Sequence, residues 1–294
     1  MNKVILVAGA TGDLGSKLCK ELIKRGALVR AIVRAESNSA SVSLLRGMGV
    51  EIIQAELSDV NSLVAACKGV CCVVSTLAGL HDVIVNAQSQ LLQAAIKAGV
   101  PRFIPSDFCT DYTQLQIGDN RNFDLRKTFQ SIIDQSDIRA TSIFNGAFTH
   151  VLKYDIPLLN TKEQQIEYFT GKLHWRIDFT TVQDTAAYTA AAALDESTPR
   201  YLRIAGTQIS PSELADVAKQ LFGSNFYLKE WGAMEAFSAY ISQVRQQQPE
   251  GEHELYPVWQ QMQYLYSMFA AQHTIPDNDR YPGIDWQSIQ SAFK

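Results

Sequence analysis

One short stretch constrains this chain more than any other. The compact apolar run Val4–Ala8 is followed at once by Gly9-Ala10-Thr11-Gly12-Asp13-Leu14-Gly15. Leu14, Leu18, Leu22 and Ile23 then recur at helical spacing, with Gly26 as a stop. A buried strand, a tight glycine turn and an amphipathic helix, in that order, aim helix N-terminal N–H groups and the positive end of the helix dipole at a pyrophosphate. In this reading Gly12 lets the backbone approach the phosphates and Gly15 lets the helix pack closely on the sheet. Gly9, Thr11, Gly12, Asp13, Leu14 and Gly15 are therefore candidate dinucleotide-binding residues.

The rest of the first half repeats the same alternation. Strands are expected at Leu28–Val33, Val50–Ile53, Val70–Ser75, Arg102–Pro105 and Ala140–Phe144. Helices are expected over Val60–Cys67, about Val83–Ala98 and Phe123–Gln135, with Ser58-Asp59 capping the first of these. Strands alternating with helices imply an α/β fold, a doubly wound parallel Rossmann-type sheet. Beyond about residue 150 the rhythm changes. Ile166–Thr170, Gly171 and Leu173–Phe179 read as a hairpin, Thr185–Leu194 as an alanine-rich helix and Tyr201–Ile204 as a last strand. Ser210-Pro211-Ser212-Glu213 is a helix start with a capping box, and from there to about His273 the chain reads as helical. The expected organisation is a dinucleotide-binding domain over 1–150, with about 180–206 returning to it. A smaller, mostly helical substrate lobe is expected from 151–179 and 207–294.

Cofactor choice in such folds is read at the end of the second strand. There, about twenty residues past the glycines, NAD-selective sites carry an Asp or Glu for the ribose 2′-hydroxyl. This chain has Arg34, whose guanidinium suits a 2′-phosphate and favours NADP. The alternative is that Arg34 is a solvated strand end and Glu36 takes the ribose. Asp59 stands where an adenine contact is expected, and capping its helix is the alternative role. Ser75, Thr76 and Leu77 end the fourth strand and should pass near the nicotinamide-side ribose, with Ser106 after the fifth strand as a further cofactor candidate.

Composition narrows the function classes. The 294 residues are 46 % hydrophobic and 19 % charged, with a formal net charge of −4. That balance excludes bulk disorder and a phosphate-coating nucleic-acid surface. No apolar run approaches the roughly 18 residues of a membrane span. The five cysteines form no C-x-x-C, which suits a reducing cytoplasm. The five histidines show no metal-ligand spacing, so no metal is expected. No nucleophile elbow occurs. Cys109 has no histidine partner in sequence and reads as an inert thiol. Tyr168-x-x-x-Lys172 matches a Tyr–Lys catalytic string, but it falls in the expected hairpin, off a helical face.

Gly9–Gly15, the stretch Gly99–Phe108 and Asn145-Gly146-Ala147-Phe148 resemble the NmrA-like family of atypical short-chain dehydrogenases/reductases, the isoflavone reductase and phenylcoumaran benzylic ether reductase group. The resemblance runs over nearly the whole chain, including the weaker closing segment Tyr281–Trp286. It implies an NADPH-binding Rossmann domain, a small substrate lobe and a catalytic lysine on the helix before strand six. That lysine registers on Arg126, a departure, with Lys127 beside it. Arginine is no proton shuttle, so Lys127 and Tyr112 are the candidate catalytic residues. Phe108, Asn145, Phe148 and His150 are the candidate substrate pocket, with Trp231, Phe237 and Tyr266 of the late helices beside them. The expected activity is NADPH-dependent hydride transfer to a small aromatic or apolar substrate. The rival is a dinucleotide-sensing regulator that acts on a protein partner without turnover, a role also found in the family.

Overall fold

The structure is a computed structural model that describes residues 3–154 and 156–293. Val4–Ala8 (β1), Leu28–Val33 (β2), Glu51–Gln54 (β3), Cys72–Ser75 (β4), Arg102–Ile104 (β5) and Arg139–Ala140 (β6) form one sheet. All its strands run parallel, in the order β3-β2-β1-β4-β5-β6. The order reverses between β1 and β4, which opens a ligand crevice at the carboxyl ends of these two strands.

Asp13–Lys24 (α1), Ser39–Gly47 (α2), Val60–Cys67 (α3), Gln88–Lys97 (α4), Arg121–Asp134 (α5) and Val182–Leu194 (α6) cover the sheet. Successive side chains of a strand point to opposite faces, and β1 shows the consequence. Ile5 and Val7 join one buried core with Leu18, Leu22, Tyr188 and Ala190, while Leu6 and Ala8 join another with Leu63, Leu91 and Phe129. The alanines of α6 let it lie directly against α1. The late segment 180–206 thus contributes to the first core.

Several expectations need correction. The run 140–144 is two strands: β6 stays in the main sheet, and Ser142–Phe144 (β7) leaves it. After β7 come Ala147–Phe148 (β8), Gln165–Tyr168 (β9), Ile177–Thr180 (β10), Tyr201–Arg203 (β11), Thr207–Ile209 (β12) and Tyr227–Glu230 (β13). β7 pairs in parallel with β11. No hairpin joins β9 and β10: β9 pairs in parallel with β13, and β10 lies between β8 and β12. The region after Ser210 is interrupted by β13 and then holds Met234–Gln247 (α8) and Val258–Ala270 (α9), preceded by Pro211–Phe222 (α7). The capping box of α7 forms as read, with Ser210 and Glu213 bonded reciprocally. α2 has no counterpart in the sequence reading, and one turn of π-helix, Asp82–Ala87, precedes α4.

A separate core, built from Leu152, Ile166, Phe169, Phe179, Phe237, Trp259 and Phe269, holds these later elements together. The closing segment does not stay there. Tyr281 and Trp286 pack on Tyr188 of α6, with ring centroids 4.9 Å and 5.9 Å away.

Candidate functional site

The turn between β1 and α1 is shaped by its glycines. Gly9 adopts φ +84°, and a Cβ there would lie 2.8 Å from the Thr76 carbonyl oxygen. A Cβ on Gly15 would lie 2.2 Å from the Gly9 carbonyl oxygen, so helix and turn touch backbone to backbone. Gly12 differs: a Cβ there would meet only the Gly9 oxygen, at 3.3 Å, and open space beyond. No side chain caps α1, whereas Asp59, Asn120 and Thr181 cap α3, α5 and α6. The first turn of α1 therefore keeps N–H donors available for an anion. An open backbone cradle under an uncapped helix start fits a pyrophosphate.

Arg34 follows β2, exposed, and its guanidinium makes no ion pair or hydrogen bond among the described residues; only its backbone N–H is engaged, donating to Ser37 Oγ at 3.0 Å. Glu36 is exposed two residues on. Asp59 accepts from the N–H groups of Asn61 and Ser62 at 3.1 Å and 3.3 Å, so the capping role is realised. These bonds hold its carboxyl below the ordinary range, the Ser62 hydroxyl contributing most.

The ends of β4 and β5 are tied together. Thr76 bonds back to Ala8 through its N–H at 2.8 Å and its hydroxyl at 2.9 Å. Ser106 Oγ donates to the Leu77 carbonyl at 2.6 Å, and the Ser106 N–H donates to Gln88 Oε1 at 3.0 Å. Ser75 is fully buried, and its hydroxyl has no hydrogen-bond partner among the described residues.

Here the structure corrects the reading of α5. Arg126, not Lys127, faces these strand ends: its Nε donates to the Ser106 carbonyl at 3.0 Å and its Nη1 to the Asn122 carbonyl at 2.9 Å. Lys127 turns the other way and donates to the Leu115 carbonyl at 2.7 Å. Adjacent residues of a helix diverge by about 100°, which separates the two. Tyr112 is likewise no cleft residue. It is fully buried among Phe123 and Phe144, and its hydroxyl donates to Asp107 at 2.9 Å. Burial and the adjacent Asp107 push its pKa far above that of a free phenol. Asp107 also accepts from Ser142 at 2.7 Å, and burial raises its carboxyl.

The expected pocket residues separate. Phe108 belongs to the first hydrophobic core. Asn145 is fully buried, and both polar atoms of its side chain lack partners among the described residues. Phe148 stacks on His150 at 5.7 Å between centroids. His150 lies within the electrostatic reach of Asp13 and Lys17 at the start of α1, and burial depresses its pKa. It therefore stands on the side of the start of α1. Phe237 is core, its ring tilted against Phe169 with centroids 5.0 Å apart; Trp231 packs on Phe237 at 5.2 Å; Tyr266 packs on the same core. The Tyr168–Lys172 string makes no pair: Tyr168 donates to Glu230 at 3.2 Å, and Lys172 Nζ sits 3.2 Å from the Trp175 ring centroid. Cys109 is held protonated by burial.

Two groups had no signal in the sequence reading. Tyr264 of α9 stands by Arg126, close enough for their charges to interact, and accepts from Asn122 Nδ2 at 2.9 Å. It lies two positions before Tyr266, about 200° away around the helix. The other group is a buried charge cluster. His273 contacts Asp111 Oδ2 at 3.0 Å and Asp178 Oδ2 at 2.8 Å, and Arg203 donates to Asp111 at 2.8 Å. Burial opposes the imidazolium, but the two carboxylates prevail and raise its pKa to about 9. These residues come from the loop after β5, from β10, from β11 and from beyond α9, so only the folded chain reveals the cluster.

Comparison with known proteins supports the fold. The chain is 26 % identical over 300 residues to a bifunctional pinoresinol-lariciresinol reductase 1 of Linum usitatissimum, covering 96 % of this chain and 95 % of the relative. It superposes on a structure of AtPrR2 with NADP+ and (+)-pinoresinol with a TM-score of 0.77 at 22 % identity, covering 99 % and 97 % of the two chains. A structure of an NADPH-dependent quinone oxidoreductase from Escherichia coli superposes with a TM-score of 0.72 at 18 % identity, covering 98 % of each. The profile of the NmrA-like family matches residues 1–290, and the chain belongs to that family.

Proposed function

We propose that this chain is an NADPH-dependent reductase that transfers a hydride from the nicotinamide to a small aromatic or apolar substrate. One observation carries the reading. The first turn of α1 has no side-chain cap, lies under a glycine turn that is open at Gly12, and is accompanied by the Arg34 guanidinium, which has no partner among the described residues. In this proposal Gly9, Thr11, Gly12, Asp13, Leu14 and Gly15 line the pyrophosphate. Arg34 holds the 2′-phosphate, Asp59 stands toward the adenine, and Ser75, Thr76, Leu77 and Ser106 run past the nicotinamide-side ribose. Bound NADPH would supply the hydride. The protein positions the partners and excludes water. Reductases among the relatives support the same class of chemistry. The five free cysteines suit a cytoplasmic, reducing setting.

A second reading is favoured by Arg126, which stands where the resemblance expects a lysine: a regulator that binds NADPH without consuming it and answers to a protein partner. A screen of quinones, aromatic alkenes and small carbonyls against NADPH absorbance separates the two. The reductase reading expects NADPH consumption above background with at least one class. Tight NADPH binding with no consumption, and with altered affinity for another protein, would establish the regulator instead.

A further inference from the structure

We infer that Arg126 and Tyr264 form an oxyanion site, and that the substrate is accordingly a conjugated carbonyl compound, a quinone or an enone. The inference rests on the reductase reading and goes beyond it by naming the substrate class. Arg126 is anchored on both sides, Nε on the Ser106 carbonyl at 3.0 Å and Nη1 on the Asn122 carbonyl at 2.9 Å. Its remaining N–H donors make no hydrogen bond among the described residues. Ser106 is fastened to the end of β4 through Leu77, at 2.6 Å. The guanidinium is thereby fixed at the carboxyl ends of β4 and β5, beside the crevice where a doubly wound sheet binds its ligand.

Asn122 organises the pair. Its backbone carbonyl takes Arg126, and its side chain donates to Tyr264 Oη at 2.9 Å while also reaching the Leu255 carbonyl at 3.0 Å. The Tyr264 hydroxyl thus accepts from Asn122 and donates to no group among the described residues, which leaves its proton for a ligand. The other ionisable neighbours of Arg126 do not compete for this role. Cys109 is held as the thiol by burial, Tyr112 is committed to Asp107, and Asp107 itself, its carboxyl raised by burial, accepts from Tyr112 and Ser142.

A permanent cation cannot serve as a base, because arginine is not deprotonated in proteins. Substrates that must first lose a phenolic proton to the enzyme are therefore poorly served here. A substrate that is already electrophilic, and whose oxygen becomes anionic on reduction, is well served. When a hydride adds to the β-carbon of a conjugated carbonyl, a C–H bond forms and the C=C electron pair shifts until the carbonyl oxygen bears the negative charge. The Arg126 donors hold that oxygen. The Tyr264 hydroxyl protonates the oxyanion, and its phenolate recovers a proton from water.

The test has a binding arm and a turnover arm. In the first, 4-nitrophenol is titrated into the NADPH-loaded protein at neutral pH, with its phenolate band as readout. The wild type should stabilise the phenolate and lower the apparent pKa of the bound probe by about one unit. The Arg126→Gln variant should lose that shift, and Arg126→Lys should keep most of it. Equal spectra for wild type and Arg126→Gln, with NADPH affinity intact in both, would overturn the inference whatever the activity. In the second arm, a naphthoquinone, an aryl enone and an aryl benzylic ether carrying a free phenol are offered with NADPH. Turnover of the quinone or enone, reduced about 100-fold or more in Arg126→Gln and about tenfold in Tyr264→Phe, supports the site. Turnover of the ether alone would overturn this inference and leave the reductase reading standing. Turnover of none would overturn both.

Discussion

At the scale of single residues, identity and direction separate. The glycine turn with Gly12 and Gly15 was legible because it is local: seven consecutive residues, Gly9–Gly15, specify its backbone. Which of Arg126 and Lys127 faces the crevice was not legible, since one residue of helical phase exchanges them, and only the Ser106 and Leu115 carbonyls decide it. Two predictions follow from these positions. Lys127→Ala should leave NADPH turnover within about twofold of wild type, whereas removal of a group acting on the proton typically costs about 10²-fold or more; a 100-fold loss in steady-state kcat would return Lys127 to the chemistry. Gly15→Ala should destabilise the fold by roughly 1–3 kcal/mol, because its Cβ would meet backbone that cannot rotate away. Denaturant unfolding checks this, and an unchanged midpoint would show that the turn relaxes freely.

Elements built from local pattern were read well. Val4–Ala8, Leu28–Val33 and Val60–Cys67 have the bounds that hydrophobic runs and caps imply. The reading failed where the partner of a strand is remote. β9 looked like half of a hairpin, yet it pairs with β13, about sixty residues on, and nothing in Gly171 announces that. α2 was missed because Ser-Ala-Ser-Val-Ser is a weak helix former, and the helix is secured by Asn38, which accepts from Ala40 and Ser41 at 2.9 Å and 3.1 Å. Asp59 allows the two roles considered for it to be separated. Asp59→Ala should lower the unfolding midpoint through the lost α3 cap, and Asp59→Asn should keep the cap. NADPH affinity measured on both variants then reads the adenine contact by itself: a loss in the folded, capped Asp59→Asn supports that contact, and unchanged affinity removes it.

At the scale of the whole molecule, the Asp111–His273–Asp178 cluster ties the end of α9 to β10 and to the loop after β5. The imidazole pKa rises from 6.5 to about 9 on folding. A raised folded pKa means that protonation favours the folded state. The contribution is complete below about pH 6.5 and fades as pH rises to about 9. Its full size is on the order of 3 kcal/mol. The groups facing the imidazole are Asp111, Asp178 and the Gln114 amide, with Arg203 on the far side of Asp111. Unfolding curves at pH 6 and pH 9.5 should therefore differ more in the wild type than in His273→Gln, and equal differences would show that the cluster is not an ion pair. The account as a whole turns on the dinucleotide. Calorimetric titration of NADPH and NADH into the wild type and into Arg34→Asp tests it most directly. NADPH should bind the wild type more than about tenfold tighter than NADH, the substitution should remove that advantage while sparing NADH, and the loss corresponds to a charge-assisted phosphate contact of roughly 1.5–3 kcal/mol. Equal affinities of the wild type for the two cofactors, or no binding of either, would contradict it.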